Sequence, residues 1–169
     1  MKTVLTVAGS DPSGGAGIQA DIKTITAHGL YATSAITALT VQNTLGVSRV
    51  EPVPVDLVVQ QIDCVVGDIR PDAVKIGMLC NAEIVQAVAQ ALAHGQAECI
   101  VIDPVMISTS GHRLLDQEAV QWMKRKLFPM AQLITPNLPE AEALCGMRVR
   151  DEAEMERAAR LLSDQTGAA

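Results

Sequence analysis

The chain has 169 residues, 49% of them hydrophobic, and a formal net charge of −6. That length buries about two-thirds of the unfolded surface in one compact domain, and the acidic balance excludes a nucleic-acid binder, whose footprint needs clustered Lys and Arg where this chain offers only Lys124-Arg125-Lys126. No apolar stretch approaches the ~18 residues of a membrane span, and the amino terminus lacks the charged, apolar and small-residue order of a signal peptide, so the expectation is a cytoplasmic protein without membrane contact.

In chain order, brief runs rich in β-branched residues at 3–8, 35–41, 73–76, 99–102 and 132–135 read as buried parallel strands, because they mostly lack polar alternation. Between them lie segments with helical spacing. Ile18, Ile22 and Ile25 mark the first, Val58, Ile62 and Val65 the second, Ile84, Val88 and Leu92 the third, and Val120, Met123 and Leu127 the fourth. A last amphipathic helix is expected around Met155, Ala159 and Leu162, and residues 45–54 fit less well, as a small flap or edge strand. Alternating strands and helices predict an α/β fold with right-handed crossovers, a mostly parallel sheet and helices on both faces. There is no internal repeat and no linker, so residues 1–169 read as a single domain.

The cysteines and histidines exclude some chemistry. Cys64, Cys80, Cys99 and Cys145 form no C-x-x-C pair, and His28, His94 and His112 fall at no metal-ligand spacing, so neither a zinc site nor cysteine catalysis is expected in this chain. Buried or partly buried thiols are the plain reading, with Cys99 inside a strand.

Open α/β sheets bind ligands outside the carboxyl ends of their strands. That rule selects the glycine-rich stretch "AGSDPSGGAG" after the first strand, Gln42 and Asn43 after the second, Gly77 and Met78 after the third, Asp103 after the fourth and "TPNLPE" after the fifth. The glycine-rich stretch is not a Walker A loop, since Gly15 follows Gly14 where Lys is required. "GAGIQA" satisfies G-x-G-x-x-[GA] but stands five residues too late, and the acidic residue expected further on is absent. What remains is a small-residue loop, with Asp11 and Pro12 fixing its turn, that either lets backbone approach a flat ligand or merely joins strand to helix. Other positions stay equally open. Asp21 could serve the positive end of a helix, Asp103 a turn, Asn137 and Glu140 a helix start rather than a metal or phosphate, and Gln42 could be an exposed amide.

Taken together, "AGSDPSGGAGIQADIKT", "ITALTVQNTLGV", "VKIGML", "VIDPVM" followed by "SG" and "LL", and "LITPNLPEAEAL" strongly resemble the hydroxymethylpyrimidine/phosphomethylpyrimidine kinases of the ribokinase-like superfamily, over nearly the whole chain. The resemblance implies a Rossmann-like ribokinase fold, a homodimer, and two successive phosphoryl transfers from Mg-ATP in thiamine biosynthesis. The acceptors would be 4-amino-5-hydroxymethyl-2-methylpyrimidine and then its monophosphate. It places Gly9, Ala16, Val41, Gln42 and Met78 in the pyrimidine pocket, with Gln42 reading the aminopyrimidine edge while Val41 and Met78 cover the ring. Asp21, Asp103, Asn137 and Glu140 would line the phosphate path, with Mg²⁺ on Asp103 and Glu140, since carboxylates suit that cation. Two departures accompany the resemblance. Thr109 stands where many relatives have Lys, and the glycine-rich G-T-G-C-type loop that carries the family's catalytic residue is expected beyond Ala169, leaving this chain without kinase activity of its own. A pyridoxal kinase of the same superfamily, or a noncatalytic ligand-binding fragment, are the alternative readings.

Overall fold

The computed structural model describes residues 1–106 and 115–169, so Thr109 and the "SG" of the motif after "VIDPVM" lie outside the described residues. Five strands form one parallel sheet: β1 (Thr3–Ala8), β2 (Tyr31–Ile36), β5 (Ala73–Ile76), β6 (Ile100–Ile102) and β7 (Leu133–Ile134), in the order β2-β1-β5-β6-β7. Leu5, Thr6 and Val7 in the middle of β1 are fully buried, as expected of a strand covered on both faces. The intervening helices are α1 (Gly17–Ala27), α2 (Val55–Asp68), α3 (Ala82–His94) and α4 (Gln117–Trp122). From β1 the chain steps one way to β2 and then the other way through β5, β6 and β7. Right-handed crossovers therefore put α1 on one face and α2 to α4 on the other, where α2 packs on α3 and α3 on α4.

Local chemistry sets the helix boundaries. Asn81 accepts a hydrogen bond from Ile84 N to start α3, and Asp116 accepts from Ala119 N to start α4. A π-turn (Met123–Leu127) and a short 3₁₀ turn (Phe128–Met130) carry the Val120, Met123, Leu127 stripe into the core. The last helices are α5 (Leu138–Cys145) and α6 (Glu152–Thr166), which end at Gly146 and Gly167 in left-handed conformations (φ 70° and 77°). Ala169 donates to Gln132 O and accepts from Ile134 N, a parallel-ladder rung against β7. Among the described residues no helix is long and apolar enough to cross a membrane.

Three expectations need correction. The run 35–41 is not one strand: β2 ends at Ile36, and after Thr37 the chain leaves the sheet as β3 (Ala38–Asn43), which pairs antiparallel with β4 (Gly46–Pro52) in a separate hairpin. Thr37 is the pivot. Fully buried, it donates its N–H to Ala8 O and its hydroxyl to Met78 O at 2.6 Å and accepts from Val53 N, so both arms of the hairpin are tied to the sheet at one residue. The thiols are the second correction. Cys64 is exposed on α2, and Cys99 is exposed just ahead of β6, because the strand begins at Ile100; only Cys80 and Cys145 are partly buried. Third, α6 buries Ala158 and Leu162 and leaves Met155 and Ala159 in solvent. The flap expected at 45–54 is β4 with its turn.

At the β2 edge of the sheet, the Gln61 side chain of α2 accepts from Ile36 N (3.0 Å) and donates to Ile36 O (3.2 Å).

Candidate active site

The glycine-rich stretch folds around Asp11. This carboxylate, in a residue only 2% exposed, accepts from Ser13 N and Ser13 Oγ through one oxygen and from Gly15 N and Ala16 N through the other, at 2.7–2.9 Å. Burial opposes its ionisation, but the bonds from Ser13, Ala16 and Gly15 outweigh that and hold the carboxyl below its ordinary range. Donors of the kind that would cradle a phosphate are thus already engaged by an anion of the chain itself. The start of α1 is closed in the same way, because Ile18 N donates to Gly9 O at 3.0 Å. Gly17 (φ +55°) makes that closure possible: a Cβ there would stand 2.3 Å from Gly9 O. The loop is a wall rather than a phosphate cradle. Gly9 lets Met78 lie against it, since a Cβ at residue 9 would come within 2.5 Å of Met78 Cε.

That wall bounds a cavity of about 630 Å³, which also takes in Thr40 and Gln42 of β3, the hairpin turn with Leu45 and Val47, and an acidic end made by Asp21, Lys75, Asp103, Asn137 and Glu140. Gly9, Ala16, Gln42, Met78, Asp21, Asp103, Asn137 and Glu140 therefore meet around one space, as the sequence suggested. Val41 does not. It alternates with Gln42 along β3, so its side chain takes the outer face, 58% exposed, opposite Arg49, where it borders a second, shallower hollow. Gln42 is half-buried; its Oε1 accepts from Thr40 Oγ1 at 3.3 Å, which leaves its NH₂ without a protein partner among the described residues.

The acidic end has two parts. Asn137 and Glu140 form a capping box: Glu140 N donates to Asn137 Oδ1 and Asn137 N to Glu140 Oε2, both at 3.0 Å. Glu140 Oε1 also accepts from Met106 N at 3.3 Å, fastening the residues after β6 to the start of α5. Burial pushes the Glu140 carboxyl up; the donors on Asn137 and Met106 oppose this, and the charge of Asp103 adds to it. Asp103 is the more open carboxylate. Among the described residues it accepts no hydrogen bond and meets only Lys75 Nζ, at 3.8 Å, with burial pushing its carboxyl up, Lys75 drawing it down and Asp21 raising it again. Asp21 is no surface carboxylate: it is ion-paired with Lys75 at 3.0 Å and accepts from Thr6 Oγ1 at 2.6 Å. Lys75 is the charged site residue that the sequence reading missed, although a lysine inside a four-residue core strand is itself a signal, since buried lysines are nearly always paired.

Among the described residues no group of three or more His, Cys, Asp or Glu side chains could cage a metal ion. The donor set does suit Mg²⁺, which keeps much of its water and uses one or two carboxylates together with substrate phosphates: Asp103 and the unused lone pairs of Glu140 face the same cavity.

The family model for phosphomethylpyrimidine kinase matches residues 11–169. The chain belongs to the phosphomethylpyrimidine kinase family. As a member of that family it is similar to the hydroxymethylpyrimidine/phosphomethylpyrimidine kinase of Haemophilus influenzae, 49% identical over 165 residues that cover 98% of this chain and 61% of that protein. A crystal structure of a phosphomethylpyrimidine kinase from Clostridium difficile 630 superposes with a TM-score of 0.90 at 45% identity, covering 98% of this chain and 71% of that one. The pyridoxal kinase of Staphylococcus aureus in complex with AMP-PCP and pyridoxal superposes with a TM-score of 0.85 at 35% identity, covering 98% and 59% respectively. The ribokinase-like fold is thereby shown, and the chain spans about 61% of the length of the Haemophilus relative.

Proposed function

We propose that this chain supplies the substrate pocket of an ATP-dependent kinase that phosphorylates 4-amino-5-hydroxymethyl-2-methylpyrimidine and then its monophosphate in thiamine biosynthesis. One observation carries the reading: a single cavity sets the Gln42 amide and Met78 at one side and Asp103 and Glu140 at the other. A flat aminopyrimidine presents an apolar face and an edge with adjacent donor and acceptor. The Gln42 amide matches that edge with its own acceptor and donor, while Met78 and the backbone of Gly9 cover the ring. In that pose the hydroxymethyl group points to the acidic end. Transfer joins the substrate oxygen to the γ-phosphorus, breaks the bond from that phosphorus to the ADP oxygen and releases the hydroxyl proton. Asp103 and Glu140 would hold Mg²⁺, which neutralises phosphate charge when bound.

Lys75 is already paired with Asp21, so donors for the charge developing on the transferred group belong, in this reading, to the part of the family enzyme that this chain does not span. The single domain 1–169 then binds substrate and does not turn it over. The same reading keeps the enzyme cytoplasmic and makes it a homodimer, for which exposed Leu39 and Val41 offer apolar surface. Pyridoxal is the second candidate substrate, supported by the superposition on a pyridoxal kinase; the amide-edge match favours the pyrimidine.

Calorimetry of the chain with the hydroxymethylpyrimidine and, in parallel, with pyridoxal tests the assignment. Saturable pyrimidine binding that exceeds pyridoxal binding, without ATP-dependent phosphorylation by the isolated chain, is expected. A folded chain that binds no pyrimidine at millimolar concentration overturns it.

A further inference from the structure

Lys75 lies in the middle of the sheet, on β5 between the buried residues Val74 and Ile76, in register with Thr6 of β1. Thr6 and Lys75 converge on one carboxylate. Lys75 Nζ stands 3.0 Å from Asp21 Oδ1 and 3.1 Å from Asp21 Oδ2, while Thr6 donates to Oδ2; on its other side the same ammonium faces Asp103 at 3.8 Å. The Lys75 side chain is 28% exposed and lines the cavity. Space has been kept for it, because a Cβ on Gly77 would come within 3.2 Å of Nζ and 3.0 Å of Ala8 Cβ.

Two carboxylates that flank one small positive centre are also the arrangement that binds a bridging divalent ion, as in two-metal phosphoryl-transfer sites. The geometry points to Lys75 as the resident cation of this site: its ammonium occupies the place between Asp21 and Asp103 that a divalent ion would otherwise take. Asp21, drawn into the phosphate path by the resemblance, is then the anchor of Lys75 and not a metal ligand, and the site admits one divalent ion, on the Asp103 and Glu140 side. This deepens the kinase reading and rests on it. A cation fixed covalently to the sheet is present before nucleotide arrives and does not leave with product.

The test uses Mn²⁺ alone, with neither pyrimidine nor nucleotide, so its failure is distinct from failure of the pyrimidine assignment. Free Mn²⁺ is followed by electron paramagnetic resonance as it is titrated with the chain, with folding checked by circular dichroism. Lys75→Met, which keeps the length of the side chain and removes its charge, is expected to bind Mn²⁺ at least about tenfold more tightly than the parent chain. Adding Asp21→Asn to it should abolish the gain. Lys75→Gln, whose amide can still donate to Asp21, should show the same gain and serves if the Met variant does not fold. Unchanged Mn²⁺ affinity in the folded Lys75 variants, or a gain that survives Asp21→Asn, overturns the proposal.

Discussion

The two ends of the cavity solve opposite problems. At the glycine-rich end, the donors of Ser13, Gly15 and Ala16 are committed to Asp11 and that of Ile18 to Gly9 O, so the wall presents a surface already satisfied. At the acidic end, Asp103 keeps lone pairs that no donor among the described residues engages, and burial makes their charge costly. A closed wall suits an uncharged ring, while open, destabilised carboxylates suit a cation that comes and goes. The lesson concerns glycine-rich loops in general: a loop after a first strand holds phosphate only if its N–H groups are left free, and one internal carboxylate is enough to change its use.

Removing Asp11 should break the comparison most severely. Asp11→Ala removes the acceptor of four loop hydrogen bonds whose donors sit on exposed residues and can turn to water, so the expected loss is about 2–3 kcal/mol of folding stability in urea denaturation, together with the proposed pyrimidine site. Acetate at high concentration should restore part of both, since it can refill the nest, whereas chloride should not. Next comes the amide proposed to read the ring. Gln42→Leu should weaken pyrimidine binding by about 1–3 kcal/mol, roughly tenfold to a hundredfold in calorimetry, and leave stability nearly unchanged, because among the described residues the one bond its side chain makes is the long contact with Thr40.

Asp103 gives a smaller effect with a definite pH dependence. Its carboxyl is raised in the folded chain, so ionisation costs stability as pH climbs through the folded value, and nothing is lost below the unfolded one. Asp103→Asn should therefore melt slightly higher at neutral pH, by about 1–2 °C in thermal denaturation, with the difference vanishing in acid near pH 3. Partial exposure of the group keeps the effect small. Smallest of all is Val41→Ser on the outer face of the hairpin. Pyrimidine affinity should stay within about twofold and stability within ~0.5 kcal/mol, and a larger loss of affinity would return Val41 to the pocket.

How much of this could be read from the residues follows from what each pattern encodes. Buried runs such as "TVLTVA" and stripes such as Ile84, Val88 and Leu92 mark elements because burial alone produces them. The turn out of the sheet at Thr37 was hidden inside an apolar run, since such a run says that residues are covered and not which sheet covers them. Val41 is a different case. Neighbours on a strand face opposite ways, so once Gln42 points inward Val41 cannot, and that parity was available in "ALTVQN". Glu140 shows the reverse: the spacing Asn137 to Glu140 announced a helix start, which the structure contains, yet the same carboxylate also faces the cavity and binds Met106 N. One-dimensional spacing gives the first role, and only the meeting of β6 with α5 gives the second. Lys75 needs the third dimension too, because its partners lie 54 residues before it and at Asp103, just past the end of the next strand.

The side-chain amide of Gln61 touches neither end of the cavity, and its consequence is colloidal. β2 is one margin of the parallel sheet, and a bare strand margin invites a second molecule to add a strand of its own. By offering Ile36 both an acceptor and a donor, Gln61 imitates one rung of a neighbouring strand and ends the ladder there. The outward half of the molecule is thus left with a margin whose last rung its own helix has already hemmed, so a strand from a second molecule finds the backbone of Ile36 taken.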